Sequence, residues 1–241
     1  MATRWQIDEP ILDKTRTLRF TLVRHGESDW NAQGRVQGHL GGGLTVSGRV
    51  DAQATAAHLV KRIPRPDLVI SSDLARVVET AQPYADQLGM AIRLDERIRE
   101  IDNGDWSGLR ISEVVAQHAK DIEKIRLGDD LPRGGGETVA NLYKRTKEFV
   151  RELAVTAIEK SPPDGDFHVV AFAHGGSIRT LTALCLGIGP KGMRNFRGAS
   201  NCAISELSFW IDGSGSVHSG VLSTYNSTGH LATPASGSGA D

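Results

Sequence analysis

The chain has 241 residues, 39% hydrophobic and 24% charged, with 28 Lys and Arg against 29 Asp and Glu. This fits a soluble globular protein of one large α/β domain or two small ones with a sizeable core. A formal charge of −1 supplies no basic field for nucleic acid or an anionic membrane, and no apolar run approaches the roughly 18 residues of a membrane span.

Two cysteines, Cys185 and Cys202, cannot build a disulfide framework and read as buried, reduced thiols. Residues 1–17 are charged and irregular and contain no apolar secretion segment, so they are expected to form an N-terminal extension of a cytoplasmic protein. The apolar run Leu18 to Val23 then reads as a buried strand that stops at Arg24-His25-Gly26. Ligands of open α/β sheets bind beyond the carboxyl ends of strands, and a guanidinium fork beside an imidazole suits a phosphate.

A glycine-rich segment, Gln33 to Gly43, follows; glycine lets backbone approach a ligand closely. Ser47 is expected to cap a helix running to about Arg62, which Pro64 and Pro66 end. Asp67 to Ile70 reads as a short strand, and Ser71-Ser72-Asp73 as the cap of the next helix. Leu74, Val77, Val78, Ala81, Ala85 and Leu88 make a helical stripe there, with a kink or a division into two pieces expected at Pro83 and an end at Gly89.

Met90 to Leu94 reads as an edge strand. The loop Arg97 to Gly108 is dense in acids and glycine, and a helix over Ile111 to Leu127 and a loop to Gly136 are predicted after it. From Thr138 to about Lys160 the apolar spacing is again helical, and Pro162 to Gly165 reads as a turn. Phe167 to Ala173 is near-continuously apolar, as a strand buried on both faces should be. It ends in His174-Gly175-Gly176, which opens a helix to Leu186. Ala203 to Trp210 and Val217 to Tyr225 alternate around Asp212-Gly213-Ser214-Gly215, a hairpin signal.

The Gly/Ser/Ala/Pro-rich tail 232–241 reads as disordered. Alternating strands and helices argue for a three-layer α/β sandwich over residues 18–231: a mostly parallel sheet, an antiparallel edge, and helices on both faces.

Two strands thus end in a histidine followed by glycine. If they are neighbours in one parallel sheet, His25 and His174 meet over the same strand ends. The other histidines, at 39, 58, 118, 168, 218 and 230, have the ordinary structural reading; only His39 lies in a loop near the proposed site.

The run Arg24-His25-Gly26-Glu27-Ser28-x-Trp30-Asn31 resembles the signature of the histidine phosphatase superfamily, which includes cofactor-dependent phosphoglycerate mutases. The likeness continues in order through Arg35-Val36-Gln37-Gly38, Leu44-Thr45-x-x-Gly48, Ser71-x-x-Leu74-x-Arg76-x-x-x-Thr80-Ala81 and Glu100-x-x-x-Gly104-x-Trp106-x-Gly108. It ends in Gly135-Gly136-Glu137-Thr138, His174-Gly175-Gly176 and Tyr225-Asn226-x-x-x-His230-Leu231. A phosphoglycerate mutase-like fold and a phosphomonoesterase are what it implies.

By that resemblance His25 is the nucleophile that carries the phosphoryl group. One of its ring nitrogens must then be unprotonated and the other held by a hydrogen bond. Arg24, Arg76 and His174 would surround the phosphoryl oxygens, and Asn31 would donate a neutral hydrogen bond. Gln37, Gly38 and Gly175 would complete substrate binding, with the Gly175-Gly176 amides as an anion site.

Glu100 matches the family's general acid and base; on composition alone Asp102 and Asp105 are its rivals. No histidine or cysteine spacing suggests a metal, and no cofactor is implied. The expected partner is a small phosphomonoester, and the terminal hairpin offers a possible homodimer edge.

Gly41-Gly42-Gly43 replaces the acid and proline commonly found before the Leu-Thr of the family. The segment between Glu100 and Glu137 lacks the extended, arginine-paired insertion of mutases that hold a second phosphate. Both the missing insertion and the Gly104 to Gly108 pattern favour the phosphatase branch, with a phosphoglycerate mutase as the alternative and a non-catalytic phospho-ligand binder as a third.

Overall fold

The computed structural model describes residues 16–162 and 165–231, so residues 1–15 of the extension expected over 1–17, the middle of the turn expected at 162–165 and the tail from 232 lie outside the described residues, while Arg16 and Thr17 already belong to the first strand. In chain order the elements are β1 (Arg16–Arg24), α1 (Asp29–Ala32), α2 (Val46–Arg62), β2 (Leu68–Ser71), α3 (Ala75–Leu88) and β3 (Ile92–Leu94). They continue with α4 (Ile111–Gln117), α5 (Ala119–Leu127), α6 (Val139–Lys160), β4 (Asp166–Ala173), α7 (Gly175–Cys185), β5 (Ile204–Ile211) and β6 (Val217–Ser227).

The strands form one sheet in the order β3-β2-β4-β1-β5-β6. β3, β2, β4 and β1 are parallel, and β5 and β6 add the antiparallel edge. β1 and β4 are the central pair because their side chains are apolar on both faces. Leu18, Phe20 and Leu22 point into a core with Phe149 and Leu153 of α6 and Ile178 and Leu181 of α7. Val23, Val170 and Phe172 point the other way, onto Ala56 and Leu59 of α2 and Val77, Ala81 and Tyr84 of α3. Helices therefore cover both faces, as the alternation of elements predicted.

Four local readings need correction. Thr45, not Ser47, caps α2, its hydroxyl accepting from the Gly48 amide at 2.9 Å. No side chain caps α3, because Ser72 turns to His174 and Asp73 pairs with Arg99. α3 runs unbroken through Pro83: Val77, Ala81, Tyr84 and Ala85 are all buried, and that packing outweighs one lost backbone bond. The segment 111–127 is two helices, broken at His118, whose φ of −121° and ψ of 32° leave the helical region.

Candidate active site

The register of β1 against β4 pairs Arg24 with Ala173, so the residues following each strand, His25 and His174, end side by side. Their ring centroids are 5.2 Å apart. His25 Nδ1 lies 2.8 Å from the Gly26 carbonyl. A carbonyl only accepts, so Nδ1 carries the proton and Nε2 is left unprotonated. Burial first, then the charges of Arg76 and Arg24, push the His25 pKa well below its ordinary 6.5. The ring is therefore neutral near pH 7.

His174 Nδ1 is 3.2 Å from Arg76 Nη2, and its Nε2 is 3.0 Å from Ser72 Oγ. Arginine only donates, so Nδ1 accepts and Nε2–H donates to the hydroxyl. Burial, followed by Arg76, holds this pKa well below 6.5 as well.

Arg24 and Arg76 are 2% and 1% exposed. Arg24 donates to the Ala199 carbonyl. Arg76, from the first turn of α3, donates to the carbonyls of Gly38 at 2.7 Å and Leu40 at 3.0 Å. Gly38 has a φ of +57°, and a Cβ there would come within 2.8 Å of the Asn103 amide. Its part is thus a backbone one: only glycine brings this carbonyl to Arg76 without strain.

Gln37 Oε1 accepts from Ser28 Oγ at 2.8 Å. Asn31 Oδ1 accepts from the Ser28 amide at 3.2 Å and from Asn201 Nδ2 at 3.3 Å. With its oxygen turned to those donors, Asn31 has its NH2 to offer to the cleft it lines.

Glu100 is 7% exposed. Its Oε2 accepts from the Gly176 amide at 3.0 Å and its Oε1 from the Ile101 amide at 2.8 Å. Of the two amides expected to form an anion site, that of Gly176 is therefore taken by the chain's own Glu100 carboxyl group. A helix N-terminus attracts a carboxylate as it does a substrate anion. A Cβ on Gly176 would lie 2.0 Å from Glu100 Oε1.

Asp102 and Asp105 lie apart from the cleft. Asp102 Oδ1 caps the Gly104 amide at 3.0 Å, and Asp105 is exposed.

The cleft, about 380 Å³, is lined by Arg24, His25, Asn31, Gln37, Gly38, Arg76 and Glu100, with Trp106 and Val115 among its apolar walls. Of the expected residues His174 and Gly175 do not line it; His174 is wholly buried beneath His25 and Arg76. Among the described residues no group of three or more His, Cys, Asp or Glu could hold a metal, and no helix could cross a membrane.

Two organising residues escaped the sequence reading. Asn201 Nδ2 donates to the His25 carbonyl at 2.9 Å as well as to Asn31. Arg145 of α6 donates to the carbonyls of Arg97, Arg99 and Glu100 and pairs with Glu137, fixing the backbone that carries Glu100. His39 Nε2 donates to the same Glu100 carbonyl at 2.9 Å. The Gly-Gly-Glu-Thr motif pointed at Glu137 but not at its partner, and no local signal marked Asn201.

The family described as histidine phosphatase superfamily (branch 1) matches residues 20–220. A glucosyl-3-phosphoglycerate phosphatase of Mycobacterium tuberculosis is 34% identical over 201 residues, 83% of this chain and 89% of that protein. Phosphoserine phosphatase 1 of Hydrogenobacter thermophilus is 30% identical over 191 residues, 79% of this chain and 86% of that one. The solved native structure of a mycobacterial glucosyl-3-phosphoglycerate phosphatase superposes with a TM-score of 0.79 at 31% identity, covering 88% of this chain and all of the other. With paired histidines over the ends of two parallel strands and motifs that match from strand to strand, the chain belongs to branch 1 of the histidine phosphatase superfamily.

Proposed function

We propose that the protein is a metal-independent phosphomonoesterase that hydrolyses a small phosphorylated metabolite through a phosphohistidine on His25. The observation that carries this is the 2.8 Å contact of His25 Nδ1 with the Gly26 carbonyl: Nδ1–H donates there, which leaves an unprotonated Nε2 on a ring that lines a cleft with two buried arginines and a carboxyl group. The phosphatase names of the relatives support hydrolysis over transfer.

Nε2 attacks phosphorus as the ester P–O bond breaks, and protonated Glu100 gives its proton to the leaving oxygen. Arg24, Arg76 and the Asn31 NH2 stabilise the charge on the equatorial oxygens. His174 acts from below the cleft, steadying Arg76. Glu100, now a carboxylate, takes a proton from water. The water oxygen then attacks the phosphohistidine, releasing inorganic phosphate and a neutral His25. The Ile101 and Gly176 amides would hold the carboxyl in place for both duties.

We further infer that the catalytic unit spans residues 18–231, that it works in the cytoplasm on small molecules rather than nucleic acid, and that the outer edge of β6 is where a homodimer would form.

Incubation with 3-phosphoglycerate and a panel of cellular phosphomonoesters should release inorganic phosphate. Net isomerisation of 3-phosphoglycerate with negligible phosphate would instead make the protein a mutase, and no turnover of any ester would make it a binder.

A further inference from the structure

A second, larger cleft of about 740 Å³ adjoins the phosphoryl pocket and shares Ile125, Arg126 and Arg133 with it. The segment 198–201 connects the two. On one side its Ala199 carbonyl takes the Arg24 guanidinium, and Asn201 holds the His25 carbonyl. On the other side Ala199 and Ser200 face the second cleft, with Ser200 anchored by Asn226.

Arg179 of α7, Arg194 and Arg197 complete a lining of five arginines drawn from separate segments. The acids lining it are Asp129 and Asp130. The Asp130 carboxylate is engaged by the Val139 and Ala140 amides at the start of α6.

Arg179 and Arg194 hydrogen-bond to backbone carbonyls, of Met193 and Asp129. Among the described residues Arg126, Arg179, Arg194 and Arg197 form no ion pair. Elsewhere Arg97, Arg99 and Arg145 each meet a carboxylate. Arginines converging on a cleft without carboxylate partners raise the local concentration of anions and offer forked donors to a carboxylate or phosphate.

We propose that this cleft binds a second anionic group of the substrate, so that the preferred ester is elongated, with its phosphoryl group at His25 and a carboxylate or second phosphate among Arg179, Arg194 and Arg197. The proposal rests on the phosphatase reading above. It gives part of the specificity to a surface that residues 179–200 build together with residues 125–133.

The test uses linear alkyl monophosphates of increasing length ending in hydroxyl, carboxylate or phosphate, with p-nitrophenyl phosphate as the short control. At a length that spans the two clefts, kcat/KM for the anion-terminated esters should exceed that of the hydroxyl-terminated ester by about tenfold or more, the scale of charge-assisted hydrogen bonds. The carboxylate and phosphate arms then say which anion is preferred.

The double variant Arg194→Ala/Arg197→Ala should bring that ratio towards one while p-nitrophenyl phosphate turnover changes less than about twofold, since neither side chain lines the phosphoryl pocket. Arg197→Glu, at an exposed position, should push the ratio further down without disturbing the fold. A ratio near one at every length in the unaltered protein, or one that these variants leave unchanged, overturns the proposal while hydrolysis itself stands. Failure to hydrolyse any of the esters would instead overturn the phosphatase reading.

Discussion

The floor of the phosphoryl pocket and the arginine-lined rim beside it both collect positive charge, but from different kinds of structure. Arg24, His25 and Arg76 on the floor, and His174 beneath them, are each no more than 2% exposed. They sit at two strand ends and on a helix packed against the sheet, and backbone carbonyls or neighbouring side chains fix their geometry. On the rim, Arg126 and Arg197 are exposed and come from α5 and from the irregular segment before β5. Burial does chemical work on the floor, keeping two imidazoles neutral beside two guanidinium groups. The rim keeps its charges in water, where they attract and select but do not tune ionisation. Reaction and selectivity are thus carried by separable parts of the molecule.

That separation can be broken in graded steps. His25→Ala removes the nucleophile and should lower turnover of every phosphomonoester by on the order of 10⁴-fold or more. Phosphate release and acid-labile labelling by a radioactive phosphoester should vanish together, and retention of either would place the phosphoryl group elsewhere.

Glu100→Gln keeps the shape but neither gives nor takes a proton, and should cost about 10²- to 10⁴-fold in kcat. The loss should be smallest in the phosphorylation step for esters with acidic leaving groups such as p-nitrophenol. An equal loss in that step for alkyl and aryl esters would argue against a proton donor.

Gly176→Ala tests how closely α7 and Glu100 fit. The added Cβ would collide with the carboxylate, so kcat should drop about tenfold or more through displacement of Glu100, with a stability cost of about 1–3 kcal/mol. Normal kcat in a stably folded variant would mean that the Gly176 contact is dispensable.

The smallest expected effects are on pH. Both histidines have folded-state pKa values below 6.5, so the unfolded chain takes up protons first as pH falls. Their contribution to stability should be whole above about pH 6.5 and lost as pH drops below it. The urea midpoint should therefore be level from pH 7 to 8 and decline on the acid side of 6.5. The acid limb of kcat/KM, where it reports His25, should also lie below 6.5; a limb at or above that value would contradict a buried neutral nucleophile.

The chemistry of the floor was readable because it is local. Val23-Arg24-His25-Gly26 and Ala173-His174-Gly175-Gly176 are contiguous stretches, and a parallel sheet needs only their adjacency to bring the histidines together. The motif likewise selected Glu100 over Asp102 and Asp105, and of the three only Glu100 lines the cleft. Local capping was less legible. Thr45 and Ser47 are both good caps, and which one is used depends on where the chain leaves the Glu27 carbonyl, bonded to the Thr45 amide at 2.9 Å. The break allowed for at Pro83 is absent, because helix packing against the sheet is invisible in the helix's own residues.

The sequence by itself determined the alternation of strands and helices, the two histidine-ended strands and the candidates for the reactive groups, since each is a matter of residue type and short spacing. Only the tertiary structure decided that the Gly176 amide holds Glu100 rather than substrate, that Asn201 and Arg145 brace the site from 170 and 45 residues away in the chain, and that arginines from four separate segments share one cleft. Those are long-range contacts. Their partners are set by how the helices dock on the sheet, and docking depends on the packing of whole faces that no short stretch of sequence contains.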